Sequence, residues 1–195
     1  MRDKHLCGWS RQGVQVWGFV ALVLMSASPA AGQPTLVDLL RVLNLSAYAP
    51  GLGLPHLTGQ TVTGETVSVT ELRGRVVLVH FWATWCGECR PEMSLFERLH
   101  QDFAAQGLTV LGINIRDETP RIQRYAKDLG LTYPLVLDPE GVIAKAYGVI
   151  GLPTTFLVGR DGRPVALAVG PRAWGSAEAR TLVQALLAEV VAQAR

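Results

Sequence analysis

Cys86 and Cys89 are separated only by Gly87 and Glu88, and two thiols at that spacing can close and reopen a disulfide without displacing the backbone around them. The chemistry on offer is a two-electron exchange in which one thiolate attacks a foreign disulfide and the other displaces the product. If a helix begins near Cys86, its sulfur lies at the positive end of the helix dipole among amides without partners, which favours thiolate over thiol. Cys89, a turn further along on the same face, is shielded and suited to the second, resolving attack. A structural disulfide or half of a zinc site would use the same two residues. A zinc site, however, calls for a second Cys or His pair, and no further cysteine pair exists.

Such a pair must be presented by something rigid. The run Val76-Val77-Leu78-Val79-His80-Phe81-Trp82 is nearly continuous in apolar residues, as in a strand buried on both faces, and it ends just before the cysteines. After them, Pro91 suits a first helical turn, and Met93, Phe96, Leu99 and Phe103 repeat at helical spacing up to Gly107. Leu108 to Ile115 reads as a second apolar strand, Pro120 to Leu129 as a helix closed by Gly130, and Tyr133 to Leu137 as a short strand. Val142 to Tyr147 reads as a short helix. Thr155 to Val158 and Val165 to Val169 form two strands joined by Arg160-Asp161-Gly162, a hairpin signal. Ser176 caps a last helix with its stripe at Leu182, Leu186 and Val190. Thr61 to Val69, turning at Thr63-Gly64-Glu65, reads as a small hairpin nearer the N-terminus. Strands alternate with helices, which predicts an α/β fold with a mixed central sheet flanked by helices.

The chain has 195 residues, 49% of them hydrophobic, with a formal net charge of +2. That composition fits one globular domain plus an extra segment, and basic residues scattered without a run argue against nucleic-acid binding. The extra segment is residues 1–31. Arg2, Lys4 and Arg11 precede an apolar run from Val14 to Met25 and the small residues Ser26 to Gly32, the three parts of a secretory signal. Cleavage near Ala30 is expected; an uncleaved membrane anchor is the alternative, the apolar core approaching the lower limit of about 17 residues only when extended to Ala31. Cleavage would also remove Cys7, leaving Cys86 and Cys89 as the whole sulfur chemistry of a periplasmic or otherwise extracytoplasmic protein in an oxidising compartment. Residues 32–50, with Leu36, Leu39, Leu40 and Leu43 on one helical face, read as a short helix or lead-in segment, and 51–195 as the domain.

Phe81-Trp82-Ala83-Thr84-Trp85-Cys86-x-x-Cys89, followed later by Gly151-Leu152-Pro153-Thr154-Thr155, resembles the thioredoxin superfamily, and most closely its exported TlpA/ResA-like branch. The likeness runs from about Pro50 to the C-terminus. It implies a thioredoxin-like fold with an N-terminal hairpin and an inserted strand and helix before a cis-proline loop. It also implies that Pro153 follows a cis bond and faces the cysteines, so that Leu152 offers backbone groups to an extended substrate. Without the resemblance, Pro153 reads equally as a turn proline.

Glu92 matches a glutamate that such proteins keep near the cysteines. Buried there, it would carry protons for the exchange; solvated, it would only favour the helix N-terminus. Trp82 and Trp85 are expected to cover the pair. The chain departs from the pattern twice. His80 stands where relatives carry aspartate or asparagine, and is either a proton relay or a satisfied core group. Glu88 stands where many have proline, and its charge would oppose a Cys86 thiolate and make the pair more reducing.

The expectation is an exported thiol:disulfide oxidoreductase that reduces disulfides in other exported proteins, needing no cofactor beyond the Cys86/Cys89 disulfide and no metal. The resemblance implies recharging by a membrane thiol transporter of the CcdA or DsbD kind, and as substrates the haem-binding cysteines of apocytochrome c or the copper-site cysteines of oxidase assembly proteins. Two rivals use the same pair: a Cu(I) carrier, which would need a further ligand from His56, His80 or His100, none of them in an evident ligand motif, and a disulfide-introducing oxidase, against which Glu88 and Glu92 argue. A peroxidase is disfavoured by the absence of a Pro-x-x-x-Thr-x-x-Cys arrangement.

Overall fold

The apolar run ahead of the cysteines becomes the middle of a sheet, the only place where every residue of such a strand can be covered. The computed structural model describes residues 34–49, 51 and 53–189. In chain order the elements are α1 (Leu36–Val42), β1 (Ser46–Ala47), β2 (Thr58–Gln60), β3 (Thr66–Ser68), β4 (Val76–Trp82), α2 (Cys89–Phe103), β5 (Leu108–Ile115) and α3 (Thr119–Leu129), then β6 (Leu135–Asp138), α4 (Val142–Ala146), β7 (Thr154–Val158), β8 (Pro164–Val169) and α5 (Ala177–Ala188). Six strands form one sheet in the order β1-β8-β7-β4-β5-β6. β4, β5 and β6 run parallel, while β7 pairs antiparallel with β4 and β8 antiparallel with β7. The expected mixed sheet and thioredoxin-like fold are therefore present, and α3, β6 and α4 lie between β5 and the Pro153 loop.

Side-chain alternation along β4 sorts the core. Val77, Val79 and Phe81 enter one apolar cluster with Leu111, Ile113, Phe156 and Tyr147. Val76, Leu78 and Trp82 enter the other, with Met93, Phe96 and Leu99 of α2 and Leu182 and Leu186 of α5. His80 shares the parity of Leu78 and Trp82, so it points into the layer beneath α2. Burying each large α2 side chain contributes about 1.5–3 kcal/mol, which fixes the helix on the sheet and with it the residues at its leading end.

The hairpin forms from β2 and β3, paired antiparallel, and Thr61 bridges it to Val136 of β6. The segment read as a lead-in is part of the packed unit, which begins at Pro34. Thr35 and Asp38 form a reciprocal capping box on α1, Leu39 and Leu40 are buried, α1 packs against α5, and β1 adds to the sheet edge at β8. A two-residue strand has no periodicity to detect, so only its partner reveals it. The segment expected to be a secretory signal or membrane anchor, residues 1–31, and Val190 lie outside the described residues.

Candidate active site

β4 ends at Trp82, and the loop Ala83–Glu88 carries Cys86 to the start of α2. The expectation of a helix beginning near Cys86 needs correction, because the first helical residue is Cys89. Cys86 lies in the preceding turn, and the two cysteines therefore do not share a helical face. The sulfur nevertheless stays at the helix's positive end. Cys86 Sγ accepts a hydrogen bond from the Cys89 backbone N–H at 3.2 Å, while Glu88, at the capping position, makes no side-chain cap. Cys86 and Cys89 are disulfide-bonded with Cα atoms 5.4 Å apart. Cys86 retains 8% of its surface and Cys89 none. Gly87 and Glu88 between them are exposed.

The loop is tethered from below. Thr84 donates its backbone N–H and its hydroxyl to the two carboxylate oxygens of Asp117, each at 2.6 Å, and Asn114 Nδ2 donates to the same carboxylate at 2.9 Å. The two tryptophans differ in burial. Trp82 is wholly buried in the core that also holds both cysteines, stacked at a tilt on Tyr125 at 5.1 Å, and the Arg90 guanidinium lies over the same tyrosine. Trp85 is 60% exposed, so it offers contact surface to whatever approaches Cys86. The reason is parity: Trp82 is the last inward residue of β4, whereas Trp85 stands in the turn beyond it.

Glu92, in the first turn of α2, is buried at 2% exposure. Its Oε1 accepts the Arg172 backbone N–H at 2.7 Å, and its Oε2 has no partner. Burial pushes its carboxyl up from 4.5 to about 7, and the Glu88 charge adds to the rise; the Arg172 N–H and guanidinium, and the nearby Trp174 indole, which falls short of a formed hydrogen bond, pull the other way. His80 is fully buried, with Nδ1 3.0 Å from Thr155 Oγ1, Nε2 without a partner, and its ring 4.7 Å from that of Phe96. Burial drives its titration down from 6.5 to about 3. His80 Nδ1 lies 4.0 Å from Glu92 Oε2, yet a neutral imidazole makes this a polar contact rather than an ion pair near neutral pH.

The Leu152–Pro153 bond is cis. β7 is antiparallel to β4 with Thr154 opposite Phe81, so one further step in that register brings Pro153 beside Trp82, where the cysteine loop departs. Pro153 is buried and its carbonyl accepts the Gly170 N–H at 2.8 Å, while Thr154 Oγ1 donates to Gly151 O at 2.8 Å. Among the described residues neither backbone polar group of Leu152 is hydrogen-bonded. Ile150, two residues earlier, is 91% exposed.

Nothing in the sequence singles out Asp117, Arg172 or Trp174, and Thr155 enters it only as the last residue of the Gly151–Thr155 run, with no role. Each meets the site through the fold, and none stands in a spacing motif with the cysteines. His56 contacts Thr58 and His100 stacks on Tyr133. Among the described residues no group of three or more His, Cys, Asp or Glu side chains is placed to hold a metal ion.

Comparison with known proteins agrees with this geometry. A family model described as the AhpC/TSA family matches residues 50–165. The chain is 34% identical over 118 residues to the thiol-disulfide oxidoreductase ResA of Geobacillus thermodenitrificans, covering 60% of this chain and 68% of that protein, and 29% identical over 124 residues to ResA of Bacillus subtilis, covering 64% and 69%. Among solved structures it resembles a thiol:disulfide interchange protein of the thioredoxin family from Chlorobium tepidum, with TM-score 0.63 and 30% identity over 72% of this chain and 99% of the other. It also resembles a secreted thiol-disulfide isomerase from Corynebacterium glutamicum, with TM-score 0.65 and 27% identity over 83% and 96%.

Proposed function

Since the chain belongs to the AhpC/TSA family, within the ResA/TlpA-like part of the thioredoxin superfamily, and is a thiol:disulfide oxidoreductase, we propose that it is an exported reductant of disulfides in other exported proteins. The observation that carries this reading is the unequal access of the two bonded sulfurs, with Cys86 reaching the surface and Cys89 fully enclosed behind it.

In the reduced protein the Cys86 thiolate attacks one sulfur of the substrate disulfide. A mixed disulfide forms and the other substrate sulfur leaves as thiolate. Cys89 then loses its proton, attacks Cys86 Sγ and closes the Cys86–Cys89 disulfide, releasing the second substrate sulfur, so that two electrons pass to the substrate. Glu92, one turn along the helix from Cys89 and with its carboxyl held up to about 7, takes that proton. The free backbone groups of Leu152 pair with an extended substrate segment, with Pro153 and Thr154 setting their position, and the exposed Trp85 and Ile150 give its side chains apolar contact.

Export rests on the three-part N-terminal segment and agrees with the secreted neighbour. Among the described residues no helix is long and apolar enough to cross a membrane. A protein oxidised with each turnover in an oxidising compartment needs recharging, for which a membrane thiol transporter of the CcdA or DsbD kind is suited. Haem-binding cysteines of apocytochrome c, or copper-site cysteines of oxidase assembly proteins, are the proposed substrates.

The equilibrium reduction potential of the Cys86/Cys89 pair tests the direction of electron flow. A value as low as about −270 mV supports a reductant, and one near −120 mV would make the protein an oxidant. In parallel, Cys89→Ser should accumulate mixed disulfides with the natural substrate through Cys86, and Cys86→Ser should accumulate none.

A further inference from the structure

The exchange chemistry leaves unused the buried titratable side chain that faces Glu92 from the central strand. His80 occupies a central-strand position whose same-face neighbours, Leu78 and Trp82, are apolar, and its ring is enclosed by Phe96. Around that ring the fold gathers three polar atoms without partners: His80 Nε2, Glu92 Oε2 and Trp174 Nε1. They are linked through shared neighbours, since Phe96 touches both the His80 ring and, at 5.1 Å, the Trp174 ring, and Glu92 Oε2 lies 4.0 Å from His80 Nδ1. Unpaired polar atoms at such depth oppose folding, so stability gives no reason to keep them together.

We propose that His80 is a positioning residue whose ring, oriented by Thr155, sets the pH at which the Glu92 carboxyl takes and returns the Cys89 proton. This rests on Glu92 being the proton carrier of the exchange.

The hydrogen-bonding inventory explains why these residue types suit the task. A carboxylate only accepts, whereas a carboxylic acid also donates. A neutral imidazole can present Nδ1–H to the first or bare Nδ1 to the second, and the Thr155 hydroxyl, 3.0 Å away on the same Nδ1, shares that one hydrogen or lone pair with Glu92 and keeps the ring's Nδ1 edge turned toward the carboxyl. Closing the 4.0 Å gap takes a side-chain movement of about 1 Å to reach hydrogen-bond distance. Enclosed from water, a bond to the ionised carboxylate is stronger than the same bond in solvent, so the imidazole counteracts the effect of burial on Glu92. The other charged groups facing Glu92 are Glu88, ahead of its own helix, and Arg172, from the segment between β8 and α5; β7 contributes the uncharged Thr155. His80 is therefore the titratable group that β4 supplies to this carboxyl. The proton passes from Cys89 Sγ to Glu92 and on to solvent, and no electron moves through His80.

The test follows the Glu92 carboxyl by ¹³C NMR titration of the intact oxidised protein, in which neither cysteine titrates, and the pH profile of disulfide reduction by the reduced protein. His80→Leu should move both midpoints upward by about one pH unit, within the ordinary spread of carboxylate values in proteins. Thr155→Val, which keeps the ring but removes its orienting hydroxyl, should move them the same way by less and serves if His80→Leu does not fold. In a Glu92→Gln background neither substitution should shift the reduction profile further. Unmoved Glu92 midpoints in both His80→Leu and Thr155→Val overturn the inference, as does an equal profile shift in the Glu92→Gln background. A Glu92→Gln profile identical to the parent's would instead dismiss Glu92 as proton carrier, a separate failure.

Discussion

Asp117 holds Thr84 twice, accepting its backbone N–H and its hydroxyl at 2.6 Å each across 33 residues of chain, and so ties the loop that carries Cys86 to the end of β5. The carboxylate is buried, and each such bond to a charged acceptor contributes about 1.5–3 kcal/mol before the cost of desolvation. Asp117→Ala should lower unfolding stability by about 2–3 kcal/mol and slow disulfide exchange, because Thr84 then no longer fixes the turn before the nucleophile. Urea unfolding with stopped-flow reduction of a model peptide checks both. An unchanged exchange rate would mean that the loop holds its own shape.

Glu92 gives stability a pH dependence. Its folded carboxyl titrates near 7 against an ordinary 4.5, so the folded protein binds the proton more tightly than the unfolded chain. Its contribution is fully present below pH 4.5 and is lost as pH rises through about 7, an amount of about 3 kcal/mol. Glu92→Gln keeps an acceptor for the Arg172 N–H and removes the titration. Its stability curve between pH 4 and 8, measured by urea unfolding of the oxidised protein, should be flatter than the parent's by that amount. Parallel curves would show that burial does not hold this carboxyl up.

Glu88 places an exposed negative charge between the two sulfurs, opposing the thiolate of the reduced state and so favouring the disulfide. Glu88→Gln should raise the reduction potential by about 10–20 mV. The difference should shrink in high salt, since exposed charges are screened. Equilibration with a glutathione buffer at two ionic strengths reads both effects. Identical potentials for parent and variant would dismiss the charge argument.

Gly112 pairs with His80 across the β4–β5 ladder. A methyl group there would lie 2.8 Å from Leu135 Cδ2, 3.0 Å from Trp82 Nε1 and 3.2 Å from Tyr133 Cε2. Gly112→Ala should destabilise the protein by about 1–3 kcal/mol through overpacking and displace Trp82, the last residue of the strand ahead of the cysteine loop. Thermal unfolding and near-ultraviolet circular dichroism report each effect; an unchanged tryptophan spectrum would show that Leu135 yields instead.

Legibility followed range along the chain. β4 and β5 can be bounded to the residue because an unbroken apolar run has one destination, and the end of α3 because Gly130 adopts the left-handed conformation that closes it, while its start lies one residue before the expected Pro120. The start of α2 was misplaced by three residues, from Cys86 to Cys89, since a sulfur that accepts the first helical amide leaves no trace in residue type. The leucine spacing of α1 is legible, but β1 is not, because the edge of β8, which holds it, lies more than a hundred residues further on.

From its sequence alone the chain determined a reversible dithiol and the buried strand in front of it, because spacing and periodicity are local properties of a polymer; the proline loop beside them was legible only through the resemblance. Tertiary structure alone decided that Trp82 is core while Trp85 is surface, and that Asp117 anchors the cysteine loop. It also decided that His80 meets Thr155 from 75 residues away and that Glu92 meets the Arg172 amide from 80. Those contacts set burial, and burial rather than residue type gives the imidazole and the carboxyl their opposite shifts.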